Sequence, residues 1–233
     1  MKNWHLLLGS CLVWCSLSLA YSSEAPRKAS FMSGNKPVSY EVFEEASNGP
    51  IVILLHGASG PDVPLYRQQA QYFSTKGYTV LLLHFFDATG SSIPSGQNYN
   101  AWVDAVTGLV HECRTNPAWA TQKIALLGYS LGASVALAAG SQGVPVDAIA
   151  DWYGSLPDEF FYRLKSMPPL LILHGKQDSN IPILNAQQLI RLCEIRHFNC
   201  ENHIYPDQNH GFTGKALEDA EDRTTDFFSR MLK

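Results

Sequence analysis

The chain of 233 residues is short of charge: Asp, Glu, Lys and Arg make up 16% of it, and 17 basic residues stand against 21 acidic ones for a net charge of −4. With no run of Lys or Arg and no basic-and-aromatic module, it has no footprint for a phosphate backbone, so nucleic acid is not an expected partner. Metal-ligand spacing is missing too: its 5 cysteines and 8 histidines contain neither Cys-x-x-Cys nor His-x-x-x-His. No apolar run reaches the roughly 18 residues that a membrane span needs, so no stable membrane span is expected. Repeats, low-complexity tracts and linkers are absent. What is present is a hydrophobic fraction of 45% with 11% aromatics, enough for a sizeable core, and a length that suits one domain.

Lys2 is followed by the apolar stretch Leu6–Ala20, which closes in Ser18-Leu19-Ala20 with small residues three and one before a possible cut. That is the layout of a secretory signal peptide, predicting residues 1–20 as a leader cleaved after Ala20, a domain over 21–233, and a secreted or periplasmic protein. Leu8-Gly9-Ser10-Cys11 has the look of a lipoprotein box, but leaves too few apolar residues ahead of the cysteine for export. Cleavage would leave Cys113, Cys193 and Cys200, and an oxidising compartment permits one bridge with one thiol over. Cys193 and Cys200 are the candidate pair, seven apart at the end of a helix and the start of the next strand. Two unpaired buried thiols are the other reading.

Apolar runs of strand length recur at Ile51–Leu55, Thr79–His84, Ile124–Leu127, Ala148–Tyr153, Leu170–His174 and Asn202–Tyr205. Their apolarity is continuous, as in strands buried on both faces. Amphipathic segments lie between and after them at Pro64–Lys76, Asn98–Cys113, Leu131–Ser141, Ile183–Arg196 and Lys215–Leu232. Strands alternating with helices predict an α/β fold, a mostly parallel central sheet with helices on both faces. Val38–Phe43 alternates, which suits an edge strand.

Gly128-Tyr129-Ser130-Leu131-Gly132 is a Gly-x-Ser-x-Gly pentapeptide set between a predicted strand and a predicted helix. A serine on that sharp turn has strained backbone angles and needs nearly side-chain-free neighbours, which accounts for both glycines. Its hydroxyl would project at the top of the sheet beside the positive end of a helix. A serine is a poor nucleophile near neutrality, so it needs a base within hydrogen-bond reach and a group to orient that base. Asp178, just after Leu170–His174, and His210, just after Asn202–Tyr205, lie beyond strand ends where they can meet Ser130. Asp151 precedes its strand terminus and His203 sits within a strand, so both are weaker candidates. The backbone amides of Ala58, in His56-Gly57-Ala58-Ser59-Gly60, and of Leu131 are placed to donate to a tetrahedral oxyanion.

On HGASG, HFFDATG at 84–90, GYSLG, DWYG at 151–154, LHGKQDSNIP at 173–182 and YPDQNHGF at 205–212, the sequence resembles the α/β-hydrolase superfamily and, within it, the dienelactone hydrolase family. The resemblance implies the α/β-hydrolase fold, Ser130, Asp178 and His210 as a catalytic triad, Ala58 and Leu131 as the oxyanion donors, and no cofactor. Two positions depart from the founding members: Ser130 stands where they carry a cysteine, and Gly57 where they carry a glutamate. Their substrate-binding arginines have no counterpart by motif, since Arg67, Arg163 and Arg191 are scattered.

Only residues 154–169 separate two strands where many relatives insert a lid, so no separate cap domain is expected. An open site for small or short-acyl esters or lactones follows, with Phe85, Phe86, Tyr153, Phe160, Phe161 and Phe212 as candidate substrate walls or, for each, filling of the core edge. The leading reading is a secreted serine ester hydrolase. A peptidase or acyl transferase with the same triad, and a non-catalytic binding protein on this fold, are the alternatives.

Overall fold

The computed structural model describes residues 26–44, 49–164 and 166–233. The leader expected over 1–20 lies outside the described residues. Eight strands form one sheet: β1 (Arg27–Ser33), β2 (Lys36–Phe43), β3 (Ile51–Leu55), β4 (Thr79–Leu83), β5 (Ile124–Tyr129), β6 (Ala148–Trp152), β7 (Leu170–Gly175) and β8 (Cys200–Tyr205). Their order is β1-β2-β4-β3-β5-β6-β7-β8. From β4 through β8 neighbouring strands pair in parallel, whereas β2 runs antiparallel to β4, and β1 to β2.

The period of the strands divides the core in two. Ile51, Ile53 and Leu55 face a cluster shared with α2 (Gly96–Thr115), α3 (Leu131–Ser141) and α5 (Leu184–Arg196). Val52 and Leu54 face the other side, against α1 (Pro64–Thr75) and α6 (Lys215–Met231). All five are fully buried, each contributing about 1.5–3 kcal/mol of burial free energy. Local chemistry sets the helix starts: Pro64 opens α1, where a missing amide costs nothing, and Ser95 Oγ accepts the Asn98 amide at the start of α2. Among the described residues the short α4 (Asp158–Phe161) is the one helix between β6 and β7, and no cap domain is inserted there.

One expectation is corrected. Val38–Phe43 is not the edge; it lies within β2, flanked by β1 and β4. Glu41 made it look solvent-facing, yet that carboxylate is buried and clasped by Arg67, whose Nε and Nη2 donate at 2.8 and 2.6 Å, with His84 Nε2 at 3.0 Å. Burial pushes the Glu41 carboxyl up, but Arg67 and His84 more than offset it and hold it below its usual range. At the opposite edge Cys193 of α5 is disulfide-bonded to Cys200 at the start of β8. Cys113 is a buried free thiol, pushed up to about 12 by burial, and so is not a reactive thiolate. Among the described residues no helix is long and apolar enough to cross a membrane.

Candidate active site

Ser130 sits between the end of β5 and the start of α3 with φ 55° and ψ −116°. This is a left-handed, strained conformation for a residue with a side chain. The two flanking glycines are forced by contact: a Cβ on Gly128 would fall 2.5 Å from the Ala133 nitrogen, and one on Gly132 2.5 Å from the His56 carbonyl oxygen. The turn therefore presses the first turn of α3 against the end of β3.

His210 reaches the serine from the loop after β8. Its Nε2 lies 2.8 Å from Ser130 Oγ and its Nδ1 2.8 Å from Asp178 Oδ2. Asp178 can only accept, so Nδ1 carries the proton and Nε2 accepts from the serine hydroxyl. Asp178 is itself fixed: its Oδ1 accepts the amides of Asn180 and Ile181 at 2.9 and 2.8 Å. Asn209 Oδ1 ties the two loops together, accepting from the Ser179 amide and from the His210 amide. The three side chains selected in the sequence thus form one hydrogen-bonded chain. Asp151 and His203 stand apart from it: Asp151 is buried within β6 with Oδ1 accepting the Gly154 amide, and His203 packs on Tyr205 along edge strand β8.

Leu131 opens α3, and Ala58 follows His56-Gly57 off the end of β3. The two backbones lie side by side, since a Cβ on Gly57 would fall 3.5 Å from Ser130 Cβ. Neither amide donates to a group elsewhere in the described residues. His56 braces this loop: its Nδ1 donates to the Gly57 carbonyl at 2.9 Å while its ring stacks on Phe85 at 4.2 Å. Burial lowers the His56 pKa to about 4, so the ring is a neutral spacer.

The aromatic residues divide. Tyr153 (φ 49°) and Phe212 border the site, with the Tyr153 ring edge-on to His210 at 5.1 Å and to Phe212 at 4.9 Å. Phe86 lines an open cleft of about 300 Å³ with Ala58, Ser59, Gly60, Gly90, Ser91 and Ser92. Phe85 and Phe160 are buried core side chains, because the first is taken up by His56 and the second packs near Tyr99. Phe161 lines a different groove, between α4 and α5 with Leu184 and Ile195. Phe85 and Phe161 are therefore not walls of the cleft beside Ala58.

Sequence reasoning passed over two residues. His174, at the end of β7, donates from Nε2 to the Ile181 carbonyl at 2.8 Å and lies 3.4 Å from Asp178 Oδ2, holding the loop that carries the acid. Burial lowers its pKa, which favours this neutral bracing role. Tyr66, on α1, brings its hydroxyl to within 2.6 Å of the place a Gly57 Cβ would take. The first could have been found from its place beside Asp178 in the run LHGKQD; no pattern marks the second.

The model of the dienelactone hydrolase family matches residues 39–233. The chain belongs to that family. As a dienelactone hydrolase family member it is 24% identical over 127 residues to a putative carboxymethylenebutenolidase of Yersinia pestis, covering 47% of this chain and 48% of that protein. It is also 24% identical over 212 residues to a probable dipeptidyl-aminopeptidase B of Arthroderma gypseum, covering 72% of this chain and 23% of that one. The matched part thus spans half or less of each of these relatives. Among solved structures it is similar to a dienelactone hydrolase-like promiscuous phosphotriesterase from metagenomic libraries, with a TM-score of 0.76, 15% identity and coverage of 89% and 98% of the two chains. That likeness is one of fold.

Proposed function

We propose that this family member is an exported serine hydrolase that cleaves small, uncharged carboxylic esters or lactones through an acyl-enzyme. The observation that carries the reading is the unbroken chain from Ser130 Oγ through His210 to Asp178, 2.8 Å at each step. In the reaction, Ser130 Oγ attacks the carbonyl carbon as His210 Nε2 takes its proton, with Asp178 steadying the charged imidazole. The carbonyl electron pair moves onto oxygen, where the Ala58 and Leu131 amides receive it. His210 then protonates the departing alkoxide, and in the second half draws a proton from the water that releases the acid.

The preference for an uncharged substrate rests on the lining of the cleft beside Ala58, which holds serines, glycines and one phenylalanine but no charged side chain. Arg67 is committed to Glu41 and Asp62, and Arg191 to Glu194, so neither is poised for a substrate carboxylate. Export is supported by the leader pattern of residues 1–20 and by the Cys193–Cys200 bridge, which persists in an oxidising compartment.

Release of p-nitrophenol from acetate, butyrate and octanoate esters tests the reading. Hydrolysis should fall with acyl length, exceed that of a p-nitroanilide, and drop by at least about 10⁴-fold in Ser130→Ala. Turnover that survives Ser130→Ala would overturn it, and faster cleavage of the anilide would favour a peptidase.

A further inference from the structure

The position before Ala58 has no side chain, and its space is occupied from another element. Around the point where a Gly57 Cβ would sit lie the Tyr66 hydroxyl at 2.6 Å, the Tyr129 carbonyl oxygen at 3.4 Å and Ser130 Cβ at 3.5 Å. Tyr66 is therefore beside both the nucleophile and the loop that carries Ala58. We propose that the Tyr66 hydroxyl is a third hydrogen-bond donor to the oxyanion, acting beside the amides of Ala58 and Leu131. The proposal rests on the serine-hydrolase reading and adds a catalytic side chain to it.

Three features suit Tyr66 to this task. Its ring is held between the two strand ends it must serve, 5.6 Å from the Tyr129 ring and 6.1 Å from His56. Its helix is anchored at the next residue, where Arg67 grips buried Glu41 with two hydrogen bonds. Finally, among the described residues no carbonyl or side chain accepts its proton. Burial raises the phenol pKa although the Gly57 amide opposes this, so the group stays a donor at neutral pH. Tyr66 keeps its proton throughout. As the bond from Ser130 Oγ to carbon forms and the carbonyl π pair moves onto oxygen, the hydroxyl hydrogen-bonds the new charge and releases it when the carbonyl re-forms.

The test compares wild type, Tyr66→Phe and the control Tyr72→Phe on p-nitrophenyl butyrate, together with their rates of phosphonylation by a fluorophosphonate. Tyr66→Phe should lower kcat by about 10- to 100-fold with KM nearly unchanged, and slow phosphonylation in parallel. Tyr72→Phe should leave both unchanged. Site-specific fluorotyrosine at 66 keeps the fold and lowers the phenol pKa. It should add an alkaline fall in kcat that the unmodified protein lacks, a signature no packing role produces. A Tyr66→Phe variant of wild-type melting behaviour with wild-type kcat and phosphonylation, or a fluorotyrosine protein with an unaltered pH profile, would overturn the proposal alone. A wild type inert towards both ester and fluorophosphonate would overturn the serine-hydrolase reading and this inference with it.

Discussion

In the body of the sheet, β3 and β4 are fully buried throughout and apolar but for Thr79, while the rim at the carboxyl ends of the parallel strands gathers His56, Asp151, His174 and Asp178, all buried and polar. Three of the four buried side-chain atoms without a partner among the described residues belong to this rim: His56 Nε2, Asp151 Oδ2 and His174 Nδ1. Two non-glycine residues with positive φ, Ser130 and Tyr153, are there as well. Unsatisfied polarity and strain each cost a few kcal/mol, so the rim persists only because the interior over-determines it. Stability and chemistry are thus divided between adjacent zones of the same strands.

The division can be sharpened by substitution. Ile53→Ala, in mid-sheet, should cost the most, about 4 kcal/mol in urea unfolding, while leaving kcat of the folded protein unchanged. A loss of kcat out of proportion to the unfolded fraction would break the comparison.

Asp151→Asn should act on the rim in a pH-dependent way. Burial raises the Asp151 carboxyl to about 7, so the folded chain holds a proton that the unfolded chain releases above about pH 4. This group therefore takes away up to about 1.4 kcal/mol of stability per pH unit between about pH 4 and 7; below that window it costs nothing, and above it the accumulated loss stays constant. His56, held neutral down to about 4, acts in the opposite sense between about pH 4 and 6.5. Relative to wild type, Asp151→Asn should gain stability steadily from about pH 4 to 7 in thermal melts. A constant difference across that range would mean Asp151 is ionised in the fold.

The smallest effect is expected outside both zones. Arg191→Ala removes an exposed pair with Glu194 and should shift stability by less than about 0.5 kcal/mol.

Much of this was legible in the sequence where burial is uniform. The runs for β3 to β7 are buried throughout, and Ser130 and Asp178 each follow one of them; His210 comes after β8, whose sequence Cys-Glu-Asn-His-Ile-Tyr is largely polar and only partly buried. Edge and exception were harder to read. Strand β1 is mostly exposed, with Phe31 its one buried side chain, so it has no hydrophobic signature; the Gly34-Asn35 turn that joins it to β2 was the available signal. Glu41 hid the interior place of β2, because its partner Arg67 lies 26 residues away and the pairing exists only in the fold. Tyr66 escaped for the same reason: its role depends on the emptiness of Gly57, a relation across two elements. Phe85 and Phe86, adjacent just after β4, show that an aromatic near a strand end is divided between core and cleft by tertiary neighbours alone.

The most direct test of the central claim is covalent labelling of the chain by a fluorophosphonate at neutral pH, with the modified peptide located by mass spectrometry and His210→Ala run beside it. One label per chain on Ser130, lost or strongly slowed in His210→Ala, is the expected result. A folded protein that stays unlabelled, or one labelled at another residue, would contradict it.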